Sequence, residues 1–371
     1  MIKIFFAVLL CAECLFAWGG TTHKYINKNA VIHLPPAMQK FIDQQAYLET
    51  HAVDADNRKG SDATEGPKHF LDIDYYPNYK NLTRSLDSLI AKYGTQVVVN
   101  DNGILPWATI WAMDSLTAQL KRGDWTKAYL TGADVGHYVA DGHQPLHVAQ
   151  NYDGQISVPS QKGLHSRYES TMMGTYLNAV QLSKDSVHYI SNPIEFIFSY
   201  LLVSNALVDS ILLGDKYAAP PNGSSGGTLP ADYYPKLWAK TQQLTNRELQ
   251  SSTIDLASLW YTAFVNAGLI TKPASVDQFT IVQPRQFVLS QNFPNPFNPS
   301  TTIQYQLPAE NATTLKIFDM VGREIATLVN TVQQSGSYSV RFNAADLPSG
   351  VYVYRLQSGK FSAAQKFVLV K

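Results

Sequence analysis

From residue 18 to about residue 268, apolar residues recur at helical spacing, and strict alternation is nearly absent. Thr21 or Thr22 is placed to cap a helix running through Ile26 to Ile32 and stopped before Pro35-Pro36. Residues 107–120 and 125–140 are long stretches without proline, and 194–213 and 237–249 read the same way. Ser252 is placed to cap a last helix whose stripe is Ile254, Ala257, Trp260, Ala263, Phe264 and Ala267. Residues 220–227 (PPNGSSGG) read as a flexible surface loop inside this helical region, because the helical pattern resumes after them.

The texture changes near Lys272. Short β-branched and aromatic runs at 301–305, 315–318, 339–342, 351–354 and 366–370 predict strands, with turns at 319–322 and 348–350. The spacing predicts a small β-sandwich, and this part contains no histidine and no acidic cluster. The chain is therefore expected to be an all-α domain followed by a small all-β sandwich. The expected division is 1–17 signal peptide, 18–271 helical domain, 272–285 linker and 286–371 sandwich.

Composition adds further constraints. The 371 residues exceed what one ordinary domain needs, and the 29 basic residues balance 29 acidic ones. That balance gives no global basic field for duplex nucleic acid or an anionic membrane. Lys3, the apolar run 4–10 and Ala17 before Trp18 read as a signal peptide, which implies export. Cys11 and Cys14 are the only cysteines and both lie in that leader, so the mature chain must rely on its core or on metal instead of disulfides. No later segment reads as long and apolar enough to span a bilayer.

The candidate chemistry is concentrated at 134–169. His137 and Asp141 are four apart in a helical run, so both project from one face, and His165 and Glu169 repeat the spacing. Between them His147 follows Pro145, which should end the first helix. Imidazoles and carboxylates without cysteine suit a hydrolytic zinc site with open positions, and five such groups exceed the needs of one ion. Further donors precede them: Trp18 and His23 at the mature start, Asp54 and Asp56 in HAVDADNRK, and His69 in KHFLDID.

The order Trp18, His23, Asp54, His69, His137, Asp141, His147, His165, Glu169 resembles the superfamily of zinc-dependent phospholipases C and single-strand-specific zinc nucleases. The resemblance implies an all-helical fold with three zinc ions. Asp54, His69, His137 and Asp141 would hold the first; Asp54 or Asp56 remains open as that ligand. His147, His165 and Glu169 would hold the second. The amine and carbonyl of Trp18, His23 and a second oxygen of Asp141 would hold the third. A free α-amine has a pKa near 8 and can yield its proton to a metal. Such a site is net cationic and suits a phosphodiester anion. The implied reaction is hydrolysis by water activated between two ions about 3.5–4 Å apart, with the third ion on the leaving group and Asp54 as the residue orienting the water.

Substrate class divides the signals. The spacing of Trp18 from His23 and the run from His143 to His147 resemble the nucleases, whereas the run from Leu164 to Glu169 resembles the phospholipases. The reading leans to a phospholipase C type, with a nuclease as the alternative and an inactive secreted binding protein behind both. Asp153 is a candidate substrate contact. Tyr75, Tyr76 and Tyr152 are candidates for stacking a base or lining a headgroup pocket. His143 is read as supporting the ligands without joining them, Asp72 and Asp74 as orienting His69, and His33, His51 and His188 as ordinary.

The tail resembles the type A sorting domain of the type IX secretion system, through NFPNPFNP at 292–299, residues 315–324 and LPSGVY at 347–352. That resemblance implies a partner in the secretion machinery, passage through the periplasm, and a final location at the cell surface or outside.

Overall fold

The computed structural model describes residues 18–271, 287–292, 295–334 and 336–371. The expected signal peptide and linker, and Phe293 and Pro294 of the tail motif, lie outside the described residues. Eight helices position the site: α1 (Gly20–Ala30), α2 (Gln45–His51), α3 (Asp54–Arg58), α4 (Leu105–Arg122), α5 (Trp125–Gly142), α6 (Pro193–Asn205), α7 (Val208–Ala218) and α8 (Tyr233–Asn266).

Helix α1 starts at the N-cap Gly19 with no side-chain cap, and Thr22 lies buried within the first turn. The expected threonine cap is therefore absent, because Thr22 faces inward with His23, Ile26, Asn27 and Ala30. Helix α5 crosses close to this face. A Cβ at Gly136 would come within 2.2 Å of Asn27 Oδ1, so only glycine permits the approach. That approach stacks the His23 ring on His137 at a centroid distance of 3.8 Å.

Residues 237–267 form one helix with the preceding turn, not two. Ser252 lies inside α8 and its hydroxyl donates to Leu249 O, a bond that leaves no helix start there. The reverse holds at 194–213, where α6 and α7 are separate elements broken at Ala206-Leu207. Taken together, Pro193–Ala218 contain an 18-residue window with a mean hydropathy of 1.8, apolar enough by length and composition to cross a membrane, which corrects the expectation that no such segment follows the leader. The composition has a local cause: Phe196, Ile197, Phe198, Tyr200 and Leu201 are buried in the core of the helical domain. In the same core Phe41 meets Trp260 and Phe264 edge-to-face at 5.3 and 5.2 Å.

Among the described residues, the tail holds seven strands in two antiparallel sheets: β1 (Val288–Leu289), β2 (Ser300–Leu307), β3 (Asn311–Phe318), β4 (Glu324–Gln333), β5 (Gly336–Asn343), β6 (Gly350–Ser358) and β7 (Phe361–Leu369). One sheet has the order β1-β2-β5 and the other β4-β3-β6-β7. Alternation buries Ile303, Tyr305 and Leu307 from β2 against Leu315 and Ile317 from β3 and Tyr354 and Leu356 from β6. Four of the five expected strands fall within β2, β3, β5 and β6, and the fifth, 366–370, runs one residue past the end of β7. Strand β4 escapes the pattern because it is an edge strand whose register against β3 shifts twice.

Candidate metal centre

Asp141, in the last turn of α5, is the centre of the buried constellation. Its Oδ2 lies 3.0 Å from His69 Nδ1 and 3.4 Å from His137 Nε2. Its Oδ1 lies 3.5 Å from His23 Nε2 and 3.4 Å from His147 Nδ1. Asp141, His137 and His23 are 0 % exposed. Burial pushes the Asp141 carboxyl up, but the imidazoles of His137 and His147 and the bond with His69 outweigh it and hold the acid well below the usual carboxylate range. His23 is also lowered, here with burial in control: burial, then the His137 imidazole beside it, lower its pKa to about 3, so its ring is neutral and keeps a lone pair.

Among the described residues, three groups of donors lie with their ligating atoms within 4.8 Å of one another: His23, Asp56 and His137; His69, His137 and Asp141; and His147, His165 and Glu169. Of the two aspartates left open by the sequence, the structure brings in Asp56. It lies 6 % exposed, with Oδ1 3.5 Å from His137 Nε2 and 3.6 Å from His69 Nδ1, and Lys59 Nζ at 2.7 Å. Asp54, the expected ligand and water-orienting residue, instead points from α3 to the half-buried His51, 2.6 Å away. The reason is helical geometry: positions two apart face different ways, so α3 can turn only one of them to the centre.

The ring orientations are set by bonds on the far side of each imidazole. His137 Nδ1 donates to Ala52 O at 2.7 Å, and His147 Nδ1 donates to His69 O at 2.8 Å. Each bond places a proton on Nδ1, so that in the neutral ring the lone pair is on Nε2. His137 Nε2 then faces His69 Nδ1 at 3.0 Å, and His147 Nε2 faces His165 Nε2 at 2.9 Å. Glu169 Oε2 completes the second group, 2.9 Å from His165 Nε2 and 3.4 Å from His147 Nε2. His23 Nδ1 and Nε2 and Asp141 Oδ1 are buried with no hydrogen-bond partner. Converging lone pairs and orphaned acceptors of nitrogen and oxygen type are the donor set a divalent cation satisfies.

Two supporting residues went unread in the sequence. Glu65 Oε1 lies 3.5 Å from His69 Nε2, and accepts from Tyr138 Oη at 2.5 Å. Glu65 thus stands where Asp72 and Asp74 were expected, at ion-pair distance from His69 Nε2. Asp74 Oδ1 accepts from Gln150 N, and Asp72 is pushed up to about 8 by burial and then by Asp74. The four-residue step from Glu65 to His69 was the available signal. Gln144 is the other: its Nε2 donates to Glu169 Oε2 at 3.1 Å while its Oε1 accepts from Leu146 N.

The remaining candidates are also placed. His143 turns away from the centre to α8, between Glu248 and Asp255 at 3.3 and 3.2 Å. Burial lowers its pKa, but those two carboxylates outweigh it and hold it at about 9. Asp153 Oδ1 accepts from His165 N at 3.0 Å, so the expected substrate contact holds the turn that carries His165. Tyr76 is buried, whereas Tyr75 and Tyr152 are exposed, and Tyr152 sits edge-on to His165 at 5.9 Å. Trp18 is fully buried, with its ring 5.8 Å from that of Tyr168.

Residues 291–371 match the model of the secretion system C-terminal sorting domain. The tail bears out its reading. No curated protein sequence matches the chain. Among solved structures, the chain is similar to an alpha-toxin of Clostridium perfringens from an avian strain, at 14% identity and TM-score 0.45, covering 95% of this chain and 93% of that one. It is also similar to the alpha toxin of Clostridium absonum, at 14% identity and TM-score 0.42, covering 95% of this chain and 99% of that one.

Proposed function

We propose that the helical domain is an exported zinc-dependent phosphodiester hydrolase of phospholipase C type, delivered by its tail through type IX secretion. The observation that carries the reading is the position of Asp141, whose two carboxylate oxygens face different imidazoles and so can bridge two ions. His69, His137, Asp141 and Asp56 would hold one zinc. His147, His165 and Glu169 would hold a second. His23, Asp141 and the Trp18 amine would hold a third once the leader is removed. Zinc supplies Lewis acidity and a water acidic enough to ionise near neutral pH. The chain's own part is orientation: Ala52 O, His69 O and Glu65 aim the imidazoles, and Gln144 holds Glu169. A donor set of three carboxylates under several divalent ions attracts an anionic ester and leaves coordination positions for it.

A single-strand nuclease is the second reading, favoured by Tyr152, exposed beside His165 where a base would stack. The deciding experiment assays phosphatidylcholine and single-stranded DNA side by side on zinc-loaded protein beginning at Trp18. Phospholipid cleavage without DNA cleavage supports the first reading, and the opposite result the second. No cleavage of either by protein that holds zinc would leave a binding protein.

A further inference from the structure

We infer that the loop 150–160, at the rim of the metal centre, inserts into an uncharged lipid surface and brings the site to a membrane-bound substrate; this rests on the phospholipase reading above. The loop inverts the usual polarity of an exposed turn. Val158 is 93 % and Ile156 62 % exposed, side chains that a soluble loop normally buries or replaces.

Its polar groups turn inward instead. Asn151 Oδ1 accepts from Ile156 N at 2.9 Å, and Asn151 Nδ2 donates to Ser157 Oγ. Gln155 Nε2 donates to Gln150 O, and Gln155 Oε1 accepts from Asp153 N. Gly154 N donates to Asn151 O, while Gly154 O accepts from both Ser157 N and Gln161 N. Internal partners for the amides of Asp153, Gly154, Ile156 and Ser157 lower the cost of leaving water, which favours entry into an apolar phase.

The loop is tied to the site and flanked by aromatic residues. Asp153 accepts from His165 N, and Tyr152 lies against the His165 ring. Asp74 accepts from Gln150 N, which brings the turn carrying Tyr75, 42 % exposed, to the same rim. Tyrosines beside aliphatic tips match the order of a bilayer interface, amphipathic rings at headgroup depth and apolar residues beyond. The charge also argues for a neutral surface. Within 150–160 the only charged residue is Asp153, and its carboxylate is engaged at His165. An aliphatic tip offers no ring for a base and no cation for a phosphate chain, so lipid fits better than nucleic acid.

The test compares full-length protein with the double variant Ile156→Ser/Val158→Ser. Both are measured for cosedimentation with phosphatidylcholine vesicles, hydrolysis of those vesicles, hydrolysis of bis(p-nitrophenyl) phosphate, and sedimentation velocity. We expect the variant to bind vesicles at least tenfold more weakly, with wild-type binding unchanged between low and high salt. Vesicle hydrolysis should fall in step, and the rate on the soluble ester should be unchanged. Equal vesicle binding by the two proteins would overturn the inference. So would a wild-type dimer that the variant abolishes, because the loop would then cover a second copy. If neither protein cleaves any phosphodiester yet the binding difference persists, the docking surface stands and the catalytic reading fails.

Discussion

His147 Nε2 and His165 Nε2 lie 2.9 Å apart, and the bond from His147 Nδ1 to His69 O leaves the His147 nitrogen a lone pair. Two imidazoles in that contact, with Glu169 Oε2 beside both, are held best by a shared cation. Protein beginning at Trp18 should carry close to three zincs by elemental analysis. Saturation at a thousandfold over the dissociation constant stabilises by about 4 kcal/mol per site, so chelation should lower the melting temperature markedly. Chelated protein that melts and hydrolyses like the loaded form would contradict the metal reading.

Asp54 and Asp56 separate cleanly by substitution. Asp56→Ala removes a carboxylate within 3.6 Å of both His137 and His69, and should lose one zinc together with most activity. Asp54→Ala removes only a partly exposed pair with His51, worth about 0–1 kcal/mol, and should keep zinc and rate. If metal content falls in the Asp54 variant and holds in the Asp56 variant, the placement of α3 is wrong.

Glu65 would act on a bound metal through His69. Glu65→Gln keeps the shape but removes the charge facing His69 Nε2, and ligand-orienting partners of this kind typically contribute about 10–100-fold in affinity or activity. Zinc affinity by competition with a chromogenic chelator should weaken within that range, while circular dichroism stays unchanged. Unaltered affinity would mean the 3.5 Å contact carries no orientation.

Much of this candidate centre was legible because donors that converge on one point must sit at fixed steps. His137–Asp141 and His165–Glu169 project together from their turns, and the order of donors along the chain supplied the rest. The aspartate choice was not legible, because a two-residue step on a short helix needs the orientation of α3 to decide it. Nor was the supporting work of Glu65, Gln144 and Asp153, whose roles depend on which backbone or imidazole packs opposite. In the fold, apolar periodicity found α4 and α5 but could not show that Ser252 bonds back into a continuous α8 or that α6 and α7 part at Ala206. Those outcomes depend on tertiary packing.

The loop 220–227 is tied down, contrary to its glycine-rich composition. Ser224 is buried and donates to Asp215 Oδ2 at 2.6 Å, and Arg167 Nη2 donates to Ser224 Oγ at 2.7 Å. Arg167 lies between His165 and Glu169, and also bonds Gln161 O and Tyr233 Oη. Asp215 is fully buried, so Asp215→Ala leaves Arg167 without its charge partner and should cost about 3–5 kcal/mol. Chemical denaturation measures the loss. Weakened zinc binding in the still-folded variant would show that the network also positions His165 and Glu169. A change below 1 kcal/mol would show that the ion pair is dispensable.

Trp18 offers the sharpest test of the third zinc. Its side chain is fully buried against Tyr168, which fixes the start of the chain beside α1. Five residues on, both ring nitrogens of His23 lack hydrogen-bond partners while Nε2 lies 3.5 Å from Asp141 Oδ1. A terminal amine freed by removal of the leader would join those two donors, with the Trp18 carbonyl closing a five-membered chelate. An amide nitrogen at the same position keeps its proton at neutral pH and is a poor zinc donor. Protein beginning at Trp18 is therefore expected to hold one zinc more than protein carrying an extra Met or Ala before it. The extended form should lose much of its activity and keep its helical circular dichroism. Burial of the indole is common to both forms, so a purely structural role for Trp18 predicts equal zinc and equal rates, and that result would remove the N-terminal ligand from the site.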